Sequence, residues 1–458
     1  MWLLHSVVVP IIVIGLLVFI HEFGHFLIAK LCGVGVLRFS IGFGPAIFTF
    51  RRKETQYQLS IIPLGGYVRM VGDMPDVITG PQPTDDSVRI EAKNGGISDS
   101  ALDAMRIEVG AGSDPAYAAA VERVIADKSK WFLEKNFWKK SAIVVAGPLF
   151  NFIFAIVLVF AAVLIYGARQ HEEAARIGNV QEGSPAEAAG LKNGDLVQSI
   201  EGLAVSDWDS MAEVVYSSGG KPLAFVVKRG EERVELSLHP KPKKIYSVTG
   251  KEKEVYLVGI EPNIVRISGG PFFALERACY WTVNNTMLTY LGVWGMISGQ
   301  ASPKDLAGPL FIFKKAGEEA KQGFDQVIYF TAFLSVTLAV LNLLPIPILD
   351  GGHLLFFILE AFLGPISVRK KEYAQGFGML LLISLMLFAV HNDLTRNEKD
   401  LERAGEIKWQ EEGSGKQNES GDVKAPDSST GAMSSSLPSG PSGPSDSASP
   451  QAQLPDEH

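Results

Sequence analysis

A charge-free apolar run, Val7 to Ile20, ends directly in His21-Glu22-Phe23-Gly24-His25. No other feature restricts this chain as strongly. The run reads as a helix through hydrocarbon, where imidazole and carboxylate groups cost several kcal/mol unless they pair or bind something. Residues four apart on a helix share a face, so His21 and His25 can present both rings to one zinc ion. Glu22 follows the first of them and can reach the water that such a metal activates without itself being a ligand. The pattern points to metal-assisted hydrolysis in or beside a membrane. A polar cap on a membrane helix is the competing reading, and the cost of these groups in lipid argues against it. A signal peptide fits less well, because no basic stretch precedes the run and no small-residue cleavage site follows it.

A hydrolytic zinc takes three protein ligands and keeps one position open. The third ligand need not be near in sequence. Further uncharged stretches run from Ser141 to Ala168, Val327 to Leu349 and Gly376 to Val390, giving four expected spans. The third ends in Asn342-Leu343-Leu344-Pro345-Ile346-Pro347-Ile348-Leu349-Asp350-Gly351-Gly352. Two prolines this close cannot stay in a regular helix, so the backbone must unwind at membrane depth, where it is tolerated inside protein or along a wet cavity. Asp350 then leaves a glycine-flanked turn and is the expected third ligand. Topology checks this choice. The first and third spans cross in the same direction, so their exits, with His21 and His25 on one and Asp350 beyond the other, reach the same side. Lys30, Arg38, Lys135, Lys139, Lys140, Arg369, Lys370 and Lys371 cluster between spans on that side and mark it as cytoplasmic. The termini and the long segment between spans two and three are then extracytoplasmic.

With these motifs in place, the chain resembles the site-2 protease family of intramembrane zinc metalloproteases, and within it the bacterial regulators of sigma-E. The resemblance covers roughly residues 1 to 395. It rests on the His21–His25 motif, Gly147-Pro148-Leu149-Phe150-Asn151 in span two, and the Asn342 to Gly351 segment. It implies that His21, His25 and Asp350 bind one zinc ion per chain, with Glu22 as general base. It also suggests that Asn342 holds substrate or the developing oxyanion; capping of the broken helix is the equal alternative. Thr337 stands where close relatives carry a second asparagine implicated in substrate handling.

After the first helix, Gly42-Phe43-Gly44-Pro45 and the run Tyr57 to Met70 read as short strands and turns. Strands beside a zinc site can accept an unwound substrate by edge pairing. Relatives carry a membrane-associated β-hairpin here that matches Gly66-Tyr67-Val68, which makes Gly42, Gly44, Gly66 and Tyr67 candidate substrate-binding residues. A cytosolic hairpin that only packs against the membrane face is the alternative.

Between spans two and three, Gly183-Ser184-Pro185-Ala186 leads through Gly190-Leu191 to Asn193-Gly194-Asp195, followed by alternating strands near Leu223 to Lys228 and Val234 to His239. The unit, taken as residues 169–243, is similar to PDZ domains of bacterial proteases, with Gly183, Gly190, Leu191, Gly194 and Asp195 carrying the match. A PDZ groove would bind a peptide or C-terminus by strand addition. Some relatives have two such domains in tandem; one is found here. Residues 244–325 form a connecting segment, in which the aromatic stretch Phe273 to Ile297 reads as an interfacial helix. A polar cytoplasmic insert is expected over 73–140, with no functional reading. Residues 411–458, rich in Ser, Pro and Gly, cannot bury a core and are expected to be disordered.

The expected fold is therefore a polytopic α-helical membrane protein: four transmembrane helices, a membrane-associated β-hairpin and one extracytoplasmic PDZ domain of α+β type. Residues 1–72 hold the first span and hairpin, 141–168 the second span, and 326–395 the third and fourth. The expected function is cleavage of single-pass transmembrane substrates in the bacterial inner membrane, such as an anti-sigma factor after a first outer cut. Clearance of remnant signal peptides by the same chemistry, or a non-catalytic PDZ scaffold, are the alternatives. The net charge of −8 owes much to the insert and tail and gives no hint of nucleic-acid binding. The two cysteines, Cys32 and Cys279, fall on opposite faces of the membrane, and a thiolate zinc site is excluded by their number.

Overall fold

The first helix, α1 (Val9–Leu31), buries Val13, Leu17, His21, Gly24, His25 and Ala29 along one side. Pro10 falls in its first turn, where the missing N–H has no partner to lose. At the other end Cys32 N donates to Ile28 O and Val34 N to Ala29 O, closing the last turn. The computed structural model describes residues 7–72, 114–246, 252–299 and 306–395. The expected disorder of 411–458 and most of the insert lie outside them.

Strands β1 (Val36–Arg52) and β2 (Thr55–Met70) are each too long to remain straight. Both fold back, so that residues 36–41 pair with 66–70 on one side and with 56–59 on the other, while 46–52 pair with 55–60. The expected hairpin is thus a four-stranded antiparallel sheet. Thr55, buried at the turn, donates to Val36 O at 2.7 Å, and Lys30 of α1 reaches both Glu54 (2.5 Å) and Thr55 (2.8 Å). Helix α1 and the sheet are tied at that corner.

Helix α2 (Pro115–Ala126) follows, capped by the Asp114 carboxylate on Ala116 N. It buries Tyr117, Val121 and Ile125, spaced on one helical face, against Leu37, Val71 and Trp131. Part of the expected polar insert is therefore a packed helix rather than a loop. Helix α3 (Phe137–Tyr166) starts four residues before the expected Ser141, because Asn136 caps it by accepting from Lys139 N. It packs on α1 and carries Pro148 in its interior.

A small soluble unit comes next, built from β3 (Ala168–His171), β4 (Ile177–Val180), α4 (Pro185–Ala188), β5 (Leu196–Ile200), β6 (Leu203–Ala204), α5 (Trp208–Tyr216), β7 (Leu223–Arg229) and β8 (Glu232–Leu238). Strand order in the main sheet is β6-β5-β7-β8. Phe225, Ile177, Ile200, Met211 and Leu238 fill its core. The unit does not stop at residue 243. Beyond β9 (Lys241–Tyr246) and β10 (Glu252–Leu257), strand β11 (Ile260–Pro262) pairs with β4, and β12 (Ile264–Ile267) with β3. Val258 completes the core from that far segment.

Helix α6 (Pro271–Ile297) occupies the expected interfacial stretch, with its small residues Ala274 and Ala278 packed among Ala155, Val159, Ala332 and Val336 of neighbouring spans. Helix α7 (Pro309–Gln322) has its first turn held by Asp393, which accepts from Gly308 N (2.9 Å) and Phe311 N (3.0 Å). Helix α8 (Phe324–Asn342) opens with Asp325, which takes hydrogen bonds from Arg169 (2.5 Å) on β3 and Arg266 (2.7 Å) on β12. The ribbon at the base of the soluble unit is thereby clamped to the start of a span. The chain unwinds from Leu343 to Leu349, as the prolines require, and a further helix, α9 (Asp350–Leu363), begins at Asp350 and ends at Gly364. That helix is an element beyond the two spans expected over residues 326–395, and it lies between them. Helix α10 (Val368–Thr395) is longer than the expected Gly376–Val390 at both ends. Among the described residues, four helices, α1, α3, α8 and α10, are long and apolar enough to cross a membrane.

Candidate metal centre

His21 and His25 sit one turn apart on the buried face of α1, and the N-terminus of α9 brings Asp350 against both. His21 Nε2 lies 3.1 Å from Asp350 Oδ2, His25 Nε2 lies 3.4 Å from the same oxygen, and the two nitrogens are 3.2 Å apart. Ligand atoms placed about 2.1 Å from one tetrahedral ion are separated by about 3.4 Å. The triangle of donors has that size. Asp350 Oδ2 is buried and accepts no hydrogen bond despite its nearness to two imidazoles, so the contacts lack the direction of hydrogen bonds. A shared cation satisfies all three lone pairs at once. The donor set of two imidazoles and one carboxylate suits zinc.

The imidazoles are aimed from behind. His25 Nδ1 lies 2.8 Å from Ile143 O on α3. A carbonyl can only accept, so Nδ1 carries the proton and Nε2 faces Asp350 with its lone pair. Pro148 has no N–H to offer the carbonyl one turn back and loosens α3 at this level. Gly147 faces the two rings so closely that a Cβ there would overlap His25 Nε2 and come within 2.8 Å of His21 Cε1. Asn151, fully buried, has its amide 3.2 Å from His21 Nδ1. Sequence reading quoted Gly147 and Asn151 only as part of a family resemblance. The available signal was a glycine-proline pair and an amide inside an otherwise apolar span.

Glu22 lies toward the sheet: a Cβ on Gly66 would stand 2.9 Å from Glu22 Cγ. Tyr67 stacks on Phe43 at 6.3 Å between ring centres and accepts from Arg38 at 3.3 Å. Gly42 and Gly44 occupy the corner where β1 turns, with φ of 86° and 85°, so the sheet's shape accounts for both. Asn342 is the half-buried last residue of α8, where the unwound segment starts. Thr337 donates its hydroxyl to Phe333 O at 2.9 Å in its own helix, leaving only acceptor capacity for another group.

The five residues singled out in the soluble unit mark its turns rather than an open strand edge. Gly183, Gly190 and Gly194 have positive φ, and Leu191 is buried in the core. Asp195 is buried and bound by Arg229 through two hydrogen bonds, 2.8 and 2.7 Å, and by Lys192 N at 2.9 Å. Burial works against its charge, but the guanidinium and the backbone N–H outweigh it and hold the carboxyl below the usual range.

Apolar helices converging on a His-His-Asp cluster define an integral membrane metallohydrolase. Residues 9–385 match the model of Peptidase family M50. The chain belongs to that family, the site-2 proteases, and is a zinc metalloprotease. It is 32% identical over 426 residues to the zinc metalloprotease RasP of Bacillus licheniformis, covering 86% of this chain and 99% of the relative. Over 425 residues it is 30% identical to the regulator of sigma-W protease RasP of Bacillus subtilis, with the same coverage. The zinc metalloprotease RasP of Geobacillus kaustophilus is 31% identical over 425 residues, at 86% and 98% coverage.

Proposed function

We propose that His21, His25 and Asp350 hold the zinc ion, and that Glu22 is the general base of a peptidase cutting the membrane-spanning segments of single-pass proteins. The observation that carries this reading is the convergence of three donor atoms from α1 and α9, at tetrahedral spacing, where apolar helices end. A zinc ion held by His21, His25 and Asp350 would supply the Lewis acidity for polarising the scissile carbonyl and lowering the pKa of the attacking water. Glu22, one residue beyond His21, takes that water's proton and delivers it to the departing amine nitrogen. Asn342 steadies the substrate carbonyl as charge develops, and Thr337 contributes an acceptor on the same helix.

A helical substrate hides its carbonyls in its own hydrogen bonds, so it must be drawn out as a strand. Residues 66–70 form an edge of the sheet beside Glu22, which suits pairing of main chain with main chain. The soluble unit acts as a PDZ domain. Its strand β11 pairs with β4 alone among the described strands, and the chain leading into it packs Val258 beside Met211 and Val215 of α5. A peptide or free C-terminus seated along that edge would admit substrates already shortened on the outer side. The basic residues between spans favour an active site near the cytoplasmic face of a bacterial inner membrane, with the PDZ unit outside.

The regulator of sigma-W name borne by one relative favours a membrane-tethered anti-sigma factor as substrate; remnant signal peptides are the competing class. Purified protein in detergent, given a helical membrane substrate, tests the reading. Glu22→Gln should lose about 10²- to 10⁴-fold in rate, and equal rates for the two proteins would overturn it. In cells, the inactive variant should accumulate its uncut partner, and the identity of that partner decides between the two substrate classes.

A further inference from the structure

We infer that Asn151 is a positioning residue for the metal: its side-chain oxygen accepts the Nδ1 proton of His21 and so fixes the tautomer that leaves Nε2 free to bind. This rests on the reading that His21 is a ligand. The two Nε2 atoms converge on one carboxylate oxygen, so both Nδ1 atoms point away from the centre, into α3. His25 meets the carbonyl of Ile143, which can only accept. His21 needs a partner of the same kind, and Asn151 is the group it meets, at 3.2 Å.

An amide offers either an acceptor or a donor, and only one choice suits ligation. With the NH2 group toward His21, Nδ1 must accept and Nε2 carries the proton, which blocks metal binding. In that orientation Asn151 Oδ1 is a buried acceptor without a partner. Turning the amide end for end about its Cβ–Cγ bond leaves the shape of the side chain unchanged. It puts the oxygen on the Nδ1 proton and frees Nε2 for the ion. Asn151 is itself held: it is fully buried, and Ser335 of α8, equally buried, donates to its backbone carbonyl at 2.8 Å. One residue thus ties the helix bearing two ligands to the helix leading toward the third. Outer partners of ligating imidazoles typically alter metal affinity by about 10- to 100-fold.

The test compares Asn151→Asp, which keeps an acceptor of the same size, with Asn151→Leu, which keeps the volume and removes it. Zinc affinity would be measured by chelator competition on the full chain in detergent. The visible spectrum of the cobalt-substituted protein would report ligand geometry, and metal-free melting would report folding. We expect Asn151→Leu to lose about 10- to 100-fold in zinc affinity, with an altered cobalt spectrum and the melting of the metal-free parent. Asn151→Asp should stay near the parent in all three. Equal affinity in the leucine variant, or equal loss in both variants, overturns the assignment. If the leucine variant does not fold, the aspartate variant decides alone: an affinity well below the parent's in a folded protein overturns it. His21→Ala separates this from the underlying reading. Full zinc binding without His21 would refute ligation itself, whereas zinc lost there but retained in Asn151→Leu would refute only the role of Asn151.

Discussion

Gly147 faces His25 across the crossing of α1 and α3 with no room for a methyl group between them. What a Cβ would strike is the tip of an imidazole, which can swing aside at little cost to the fold. The ring would swing away from Asp350. Gly147→Ala should therefore damage the metal site more than stability, with zinc affinity and peptidase activity reduced on the order of a hundredfold, since ligand and substrate geometry tolerate displacements well under 1 Å. Zinc retained after dialysis, set beside the melting of the metal-free protein, checks both parts.

Gly66 gives the opposite separation. A Cβ there would stand 2.8 Å from Ser40 O, 2.9 Å from Glu22 Cγ and 3.0 Å from Val18 Cγ1. Ser40 O is backbone of the paired strand β1 and cannot yield as a flexible side chain does, so the strand must shift against β1 and displace the Glu22 side chain of α1 as well. Gly66→Ala should keep its zinc and lose turnover, because the edge strand and the general base are pushed apart while the three donors stay in place. Zinc content equal to the parent with a reduced kcat is the expected pair of readings.

The soluble unit carries its own pH signature. Asp195 has its folded-state carboxyl held below the ordinary value by Arg229 and Lys192 N, against the effect of burial. A depressed acid contributes stability above its unfolded pKa of about 4 and loses that contribution as pH falls toward the folded value. Hydrogen-exchange protection over residues 190–230, taken relative to the intrinsic rate at each pH, should fall on acidification below about pH 4. Arg229→Ala leaves a buried carboxylate without its partner and should destabilise the unit by about 2 kcal/mol at neutral pH, less than a fully buried pair would cost because Arg229 is partly exposed. Exchange in that variant should be fast already at pH 7.

What the sequence disclosed and what it hid have physical causes. His21 and His25 were legible because helical spacing alone puts them on one face. Asp350 was legible because Pro345 and Pro347 forbid a regular helix and the parity of crossings sets its side. The four-stranded form of the sheet was not legible: pairing of residues 36–41 with two partners depends on bends at glycines, and a strand pattern of period two looks the same before and after a bend. Closure of the soluble unit by β11 and β12 was missed because those strands return after a long detour. Helix α2 was missed because Tyr117, Val121 and Ile125 make a face only one residue wide, which needs Trp131 and Leu37 beside it to look like a core. Asn151 lay in plain view, but a lone amide in an apolar span gains meaning only once His21 is beside it.

The proposed zinc ion is held jointly by a helix near the start of the chain and by an aspartate more than three hundred residues later. The decisive experiment is the zinc stoichiometry of purified Asp350→Ala against the parent chain, after identical exposure to a mild chelator. One zinc per parent chain and almost none in the variant is the expected result. A variant that keeps its full complement of zinc would overturn joint ligation.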